Sequence, residues 1–203
     1  MAFRGLQKYR LATFTGSEYA WGGTTHDDMM LSDDVTVPDE VGINTSIVQS
    51  YPNSPSSGTK TFSLIFPEAF DIVSVYDGTA WGTVKIKVTM PDINNGNSIT
   101  VTSCDIKLVA VDSDGNEREI IPQTTVYDTN FGLSDYGPES LTRTFMWWYH
   151  ISDAEIRINE RMRIDYLITW SAGGSINPRD GTIELVNSRN GDETMIALPA
   201  VIE

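Results

Sequence analysis

Beyond residue 60 the apolar residues of this chain recur at every second position, and a period of two constrains it to β-structure. Val84, Ile86, Val88 and Met90 alternate with Lys85, Lys87 and Thr89, which predicts a half-buried strand with its charges on the wet face. Met162, Ile164, Tyr166, Ile168 and Trp170 alternate in the same way with Arg161, Arg163, Asp165, Leu167 and Thr169. Phe62, Leu64 and Phe66 form a third such row. Ile106, Leu108 and Ala110 form a fourth, opposite Lys107 and Val109. Between the rows lie turn formers. Asn94-Asn95-Gly96-Asn97 is one, and Asp112-Ser113-Asp114-Gly115-Asn116 predicts a hairpin leading into Glu119-Ile120-Ile121. Ile183–Val186 and Met195–Leu198, flanking Asn190-Gly191-Asp192, predict a closing hairpin. About eight short strands separated by turns point to an all-β chain: an antiparallel β-sandwich, jelly-roll-like, over residues 60–203.

One stretch fits two structures. Ser152-Asp153-Ala154-Glu155 has the form of a helix capping box, with Ile151, Ala154, Ile158 and Met162 near one helical face. A helix over 153–160 and a strand through Glu155–Ile158 both satisfy it.

Residues 1–59 differ in character. From Leu11 to Thr59 there is no Lys or Arg, while Glu18, Asp27, Asp28, Asp33, Asp34, Asp39 and Glu40 are all acidic. No period persists there, and the segment ends in the loop formers of Tyr51–Gly58. It is expected to be an extended N-terminal arm that lies on the following domain, reaches a neighbouring subunit or stays mobile, and its Tyr19 and Trp21 need apolar surface, which a neighbour would supply.

Charge and motifs narrow the chemistry. Fourteen Lys and Arg against 28 Asp and Glu give a net charge of −14, which repels a phosphate backbone, so nucleic acid is not an expected partner. The first residues hold no apolar run of secretory length and no stretch of the chain is apolar for long enough to span a bilayer as a helix. Neither a signal peptide nor a membrane segment is expected. The single cysteine, Cys104, sits in an alternating strand and reads as a small buried hydrophobe. Two histidines, His26 and His150, lack the companions a zinc site or a general base needs. His26-Asp27-Asp28 reads as a solvated loop. Asp112-x-Asp114-Gly115-Asn116-Glu117 resembles a calcium loop only in part, because the bidentate Glu at its twelfth position is missing, and it reads as a tight turn. No nucleophile elbow or phosphate-binding glycine loop occurs. The expectation is a non-enzymatic protein with no catalytic residue, no metal and no cofactor.

Trp147, Trp148 and Tyr149 are consecutive, so in a strand at least one ring must face outward or sit under another element, the N-terminal segment or the loop at 128–139. Outward aromatic rings serve protein interfaces and sugar platforms. Tyr19, Trp21, Trp147 and Trp148 are therefore the candidate interaction residues.

Thr142-Arg143-Thr144-Phe145-Met146-Trp147, a short connection, and Asn159-Glu160-Arg161-Met162-Arg163-Ile164-Asp165-Tyr166-Leu167-Ile168-Thr169-Trp170 resemble β-sandwich structural proteins of tailed prokaryotic viruses. That resemblance implies a head-decoration, turret, minor capsid or tail component. It also implies a virion location after synthesis in a host cytoplasm, with other copies of the chain and other virion proteins as partners. The competing expectation is a carbohydrate-binding or adhesin module that uses Trp147 or Trp148 to stack on a host-surface glycan.

Overall fold

The computed structural model describes residues 3–13, 19–21, 24–26, 29–32, 42–48, 56–65, 69–90, 98–128, 130–133, 140–173, 180–186 and 194–202. In chain order these form β1 (Phe3–Thr13), β2 (Tyr19–Trp21), β3 (Thr24–His26), β4 (Met29–Ser32), β5 (Gly42–Val48), β6 (Ser56–Ile65) and β7 (Ser74–Thr89). There follow β8 (Ser98–Val111), β9 (Glu117–Tyr127), β10 (Phe131–Leu133), β11 (Ser140–Ile156), β12 (Arg161–Gly173), β13 (Asp180–Val186) and β14 (Met195–Ile202). The chain is all-β, and its two large sheets are antiparallel, as the alternation predicts.

The first sheet is organised around β7. Strand β11 pairs with β7 along its whole length, from Ile156↔Ser74 to Ser140↔Thr89. The other side of β7 is shared by two strands, β14 opposite residues 75–83 and β13 opposite residues 86–89. The second sheet runs β6, β12, β8, and the far side of β8 is again shared, by β9 and β10. Alternate residues of both sheets meet between them: Tyr76, Val84, Ile86 and Val88 from β7, Ile106 and Leu108 from β8, and Ile164, Tyr166 and Ile168 from β12. Burying these rows drives the two sheets together, at about 2 kcal/mol for each large side chain withdrawn from water.

Three local outcomes have physical causes. The closing hairpin does not form. Instead β13 and β14 follow one another along the same side of β7. Of the two structures open at 153–160, the strand forms as far as Ile156 and the helix does not. Ala154, Glu155 and Ile156 pair with Tyr76, Val75 and Ser74, and a bulge between Ile151 and Ala154 places Asp153 at φ 46°. Asp tolerates that conformation better than most residues. Lastly, Val109 is buried although it lies on the face of Lys107, because its cross-strand neighbours there are Arg163 and Glu119.

Within the expected arm, strands β1, β4 and β5 pair into the first sheet. β1 runs beside β14 from Phe3↔Ile202 to Arg10↔Met195, β4 lies beside β1, and β5 lies beside β13. β2 and β3 form a separate two-stranded ladder. The side chains of Tyr19 and Trp21 and the turns at 94–97 and 190–192 lie outside the described residues, as do Asp27 and Asp28.

The predicted hairpin at Asp112 is present. The amides of Asp114 and Asn116 both donate to Asp112 Oδ1 at 2.9 Å, and Asn116 Nδ2 donates to Oδ2 at 2.9 Å. Gly115 takes φ 86°, a conformation that a side chain would strain. Both oxygens of Asp112 thus organise the turn itself.

Candidate interaction face

The alternation of β11 divides its three consecutive aromatics. Trp147, with 2% of its surface exposed, enters the core, and Trp148, with 71% exposed, stands on the outer face beside Met146 at 65%. Trp147 is therefore not an interaction residue at the surface of this chain. A local cause is visible on the neighbouring strand. Trp147 lies opposite Gly82, where a Cβ would fall 2.5 Å from Trp147 Cζ2 and equally near the carbonyl oxygen of Met195. The missing side chain of Gly82 is the space the indole fills.

The outer row of β11 is Ser140, Thr142, Thr144, Met146, Trp148 and His150, all exposed. None is Asp, Glu, Lys or Arg, in a chain of net charge −14. The register sets Trp148 opposite Trp81, Met146 opposite Thr83, and Thr144 and Thr142 opposite Lys85 and Lys87. Lys87 reaches Glu184 of β13 at 3.5 Å. The face is thus apolar at one end, and at the other Lys87 is paired with Glu184. On the core side of the same strand, Phe145 packs on Tyr127 at 4.1 Å between ring centroids and on Phe131 at 5.3 Å, which holds β11 against β9 and β10.

A second apolar surface lies at one end of the sandwich. Phe70 N–H donates to the Glu160 carbonyl at 2.9 Å, and Asn159 N–H donates to the Phe70 carbonyl at 2.8 Å. This pairing brings Ile72, 66% exposed, and Val73 beside the turn that carries Ile158, 53% exposed. Glu160 fixes the turn from beneath by accepting the Arg157 amide at 2.7 Å and the Arg118 guanidinium. Asn159, at φ 66°, closes it. Ile72 and Val73 carried no signal of alternation, and Ile158 entered the sequence reading only within the stretch that fits helix or strand.

A charge network among the described residues lies on the outer face of the second sheet. Arg163 donates from Nε and Nη2 to Asp165 at 2.8–3.2 Å, and from Nη2 to Glu117 at 2.6 Å. Burial alone would raise Glu117, but its bonds to Lys107 and Arg163 outweigh that and hold it below the usual carboxylate range. Burial pushes the Cys104 thiol up to about 12 and raises the Tyr166 phenol as well, so both are neutral core groups near neutral pH. Among the described residues no three His, Cys, Asp or Glu side chains gather as a metal site, and no helix is long and apolar enough to cross a membrane.

The sequence matches no known protein family and no curated protein. Solved structures similar to it include an alpha-amino acid ester hydrolase, at 12% identity and a TM-score of 0.40, over 70% of this chain and 25% of that one. A CocE/NonD family hydrolase from Staphylococcus aureus matches at 11% identity and a TM-score of 0.37, over 98% of this chain and 41% of that one. A structure of infectious bursal disease virus, Gx strain, matches at 11% identity and a TM-score of 0.27, over 96% of this chain and 46% of that one. The chain thus spans less than half of each of these proteins.

Proposed function

We propose that this chain is a non-enzymatic structural protein of a virion that works by oligomeric assembly. The observation that carries the reading is the outer row of β11, where Trp148 and Met146 stand exposed together in a row that holds no charged residue from Ser140 to His150. An acidic protein gains solubility from its charge, and an uncharged aromatic strip on it costs free energy until it is covered. The resemblance around residues 142–170 supplies the class of particle. The direct test is the mass of the purified chain by light scattering across concentrations, alongside its recovery in assembled particles. Defined oligomers that Trp148→Ser dissolves are expected.

The register of Trp148 against Trp81 favours one second reading, a sugar-stacking platform. A glycan array separates the two. Retention of a glycan by a monomer, lost in Trp148→Ser, would replace assembly with carbohydrate binding.

A further inference from the structure

We infer that β1 is a release strand, which peels from β14 one rung at a time when the chain is pulled through its two ends. The fold therefore suits a part tethered at one place, and not a link that transmits tension. This holds for a lone chain and for one within an assembly.

The pairing sets the direction of the load. β1 and β14 are antiparallel neighbours, and Phe3 stands opposite Ile202 at one end of their ladder. The hydrogen bonds of such a ladder run perpendicular to the strands. Tension applied at Phe3 and Ile202 therefore acts along the bonds of the outermost rung, and it reaches the next only when that rung has parted. A single rung is weak. Tension applied at opposite ends of the ladder would instead run along the strands and load all eight pairs, from Phe3↔Ile202 to Arg10↔Met195, at once.

Which strand leaves follows from the neighbours of each. Among the described residues, β1 from Phe3 to Tyr9 pairs with β14 alone, because β4 joins it only from Arg10 onward. β14 is held on both sides, by β1 and, through Met195–Ala197 and Ala200–Val201, by β7. β7 in turn is flanked by β11 along its whole length. β1 thus has the fewest pairings to break, and its departure leaves the ladder of β7 and β11 and the whole second sheet in place. Such an opening is sub-global, with one element leaving while the rest stays folded.

Single-molecule force spectroscopy of the full chain tests this in two pulling directions. In the first, handles are fused to both ends. In the second, one handle stays at the N-terminal end and the other is attached to the thiol of Asp192→Cys, three residues before β14. Cys104 is buried and does not compete for that handle. Should Asp192→Cys fail to fold, Asn190→Cys takes its place. The first direction should yield at the lower force, with an early lengthening of about 3.5 Å for each residue of β1 freed. The second should yield at higher force without that early step. Equal forces, the reverse order, or a single step in the first direction would overturn the release strand. Native-state hydrogen exchange reads the same order without load. The amides of β1 that bond to β14 should exchange well before those of β12, which lies between β6 and β8. Equal protection of the two strands would overturn the release strand as well.

Discussion

The hydroxyl of Thr194 accepts the backbone N–H of Lys85 at 3.0 Å and donates to the Val186 carbonyl at 3.1 Å. One fully buried side chain thus bridges the place where β13 stops and β14 starts along β7. Thr194→Val keeps the shape and removes the hydroxyl, which leaves two buried backbone groups without this partner. A loss of roughly 1–3 kcal/mol is expected in urea unfolding. Thr144→Val on the exposed row should change stability by less than about 0.5 kcal/mol. Equal effects would show that the bridge contributes nothing.

Gly82→Ala should destabilise the fold more than its one methyl group suggests. The added carbon meets Trp147 on one side and the Met195 backbone on the other, and the backbone cannot rotate away. Overpacking of this kind costs about 1–3 kcal/mol. The Trp147 environment should change with it, readable as altered near-ultraviolet circular dichroism. An unchanged unfolding midpoint would contradict the packing described.

Ile164→Asp should prevent folding, because a buried unpaired carboxylate costs several kcal/mol against a total stability of about 5–15. Arg163→Ala should still fold, but at a cost. It strips Asp165, itself nearly buried, and Glu117 of their guanidinium, and a discounted charge-pair loss of about 1–3 kcal/mol follows. Circular dichroism of the two variants checks both statements.

These residues also show what a sequence reader can see. The alternation of Ile164 with Arg163 is local and survives into the structure unchanged. The fate of Thr194 is not local, since β13 and β14 are ordered by pairing with residues more than ninety positions earlier. The turn formers at 190–192 suggest a hairpin only because that partner is invisible. At Ser152–Glu155 the capping box is equally local, and pairing of 154–156 with 74–76 overrides it. Which of two adjacent tryptophans turns inward depends on Gly82, a gap on another strand. A tryptophan placed opposite a glycine is the signal that was there to find.

The pH limits follow from the groups with shifted ionisation. Asp112, whose carboxylate accepts the Asn116 side-chain amide first and then nearby backbone amides, and Glu117 are both held below their ordinary range. Their stabilisation is present above the ordinary carboxylate pKa and is lost as pH falls through the lower folded values. Cys104 works in the other direction. Its thiol is raised from 9.0 to about 12, so stability is complete below 9 and declines as pH climbs toward 12. Melting temperature should therefore fall at both extremes, and Cys104→Ala should reduce the alkaline slope. Ellman's reagent should find no thiol in the native protein at pH 8 and one per chain after denaturation.

Removing residues 1–50 tests whether the N-terminal strands are part of the folding unit. The cut spares β6 and removes β1, β4 and β5 with their pairings to β14 and β13. β14 would then be the bare edge of the first sheet, carrying the apolar run Met195-Ile196-Ala197-Leu198 with its backbone amides and carbonyls unpaired on that side. Such an edge is a template for pairing with other chains. Its core-facing residues, Ile196 and Leu198, are fully buried and still need β14 to stay in register with β7. The truncated chain should thus melt at lower temperature with reduced cooperativity, and aggregate as concentration rises. A monomeric fragment with an unaltered cooperative transition would show instead that the sandwich folds alone and that the first strands are an accessory.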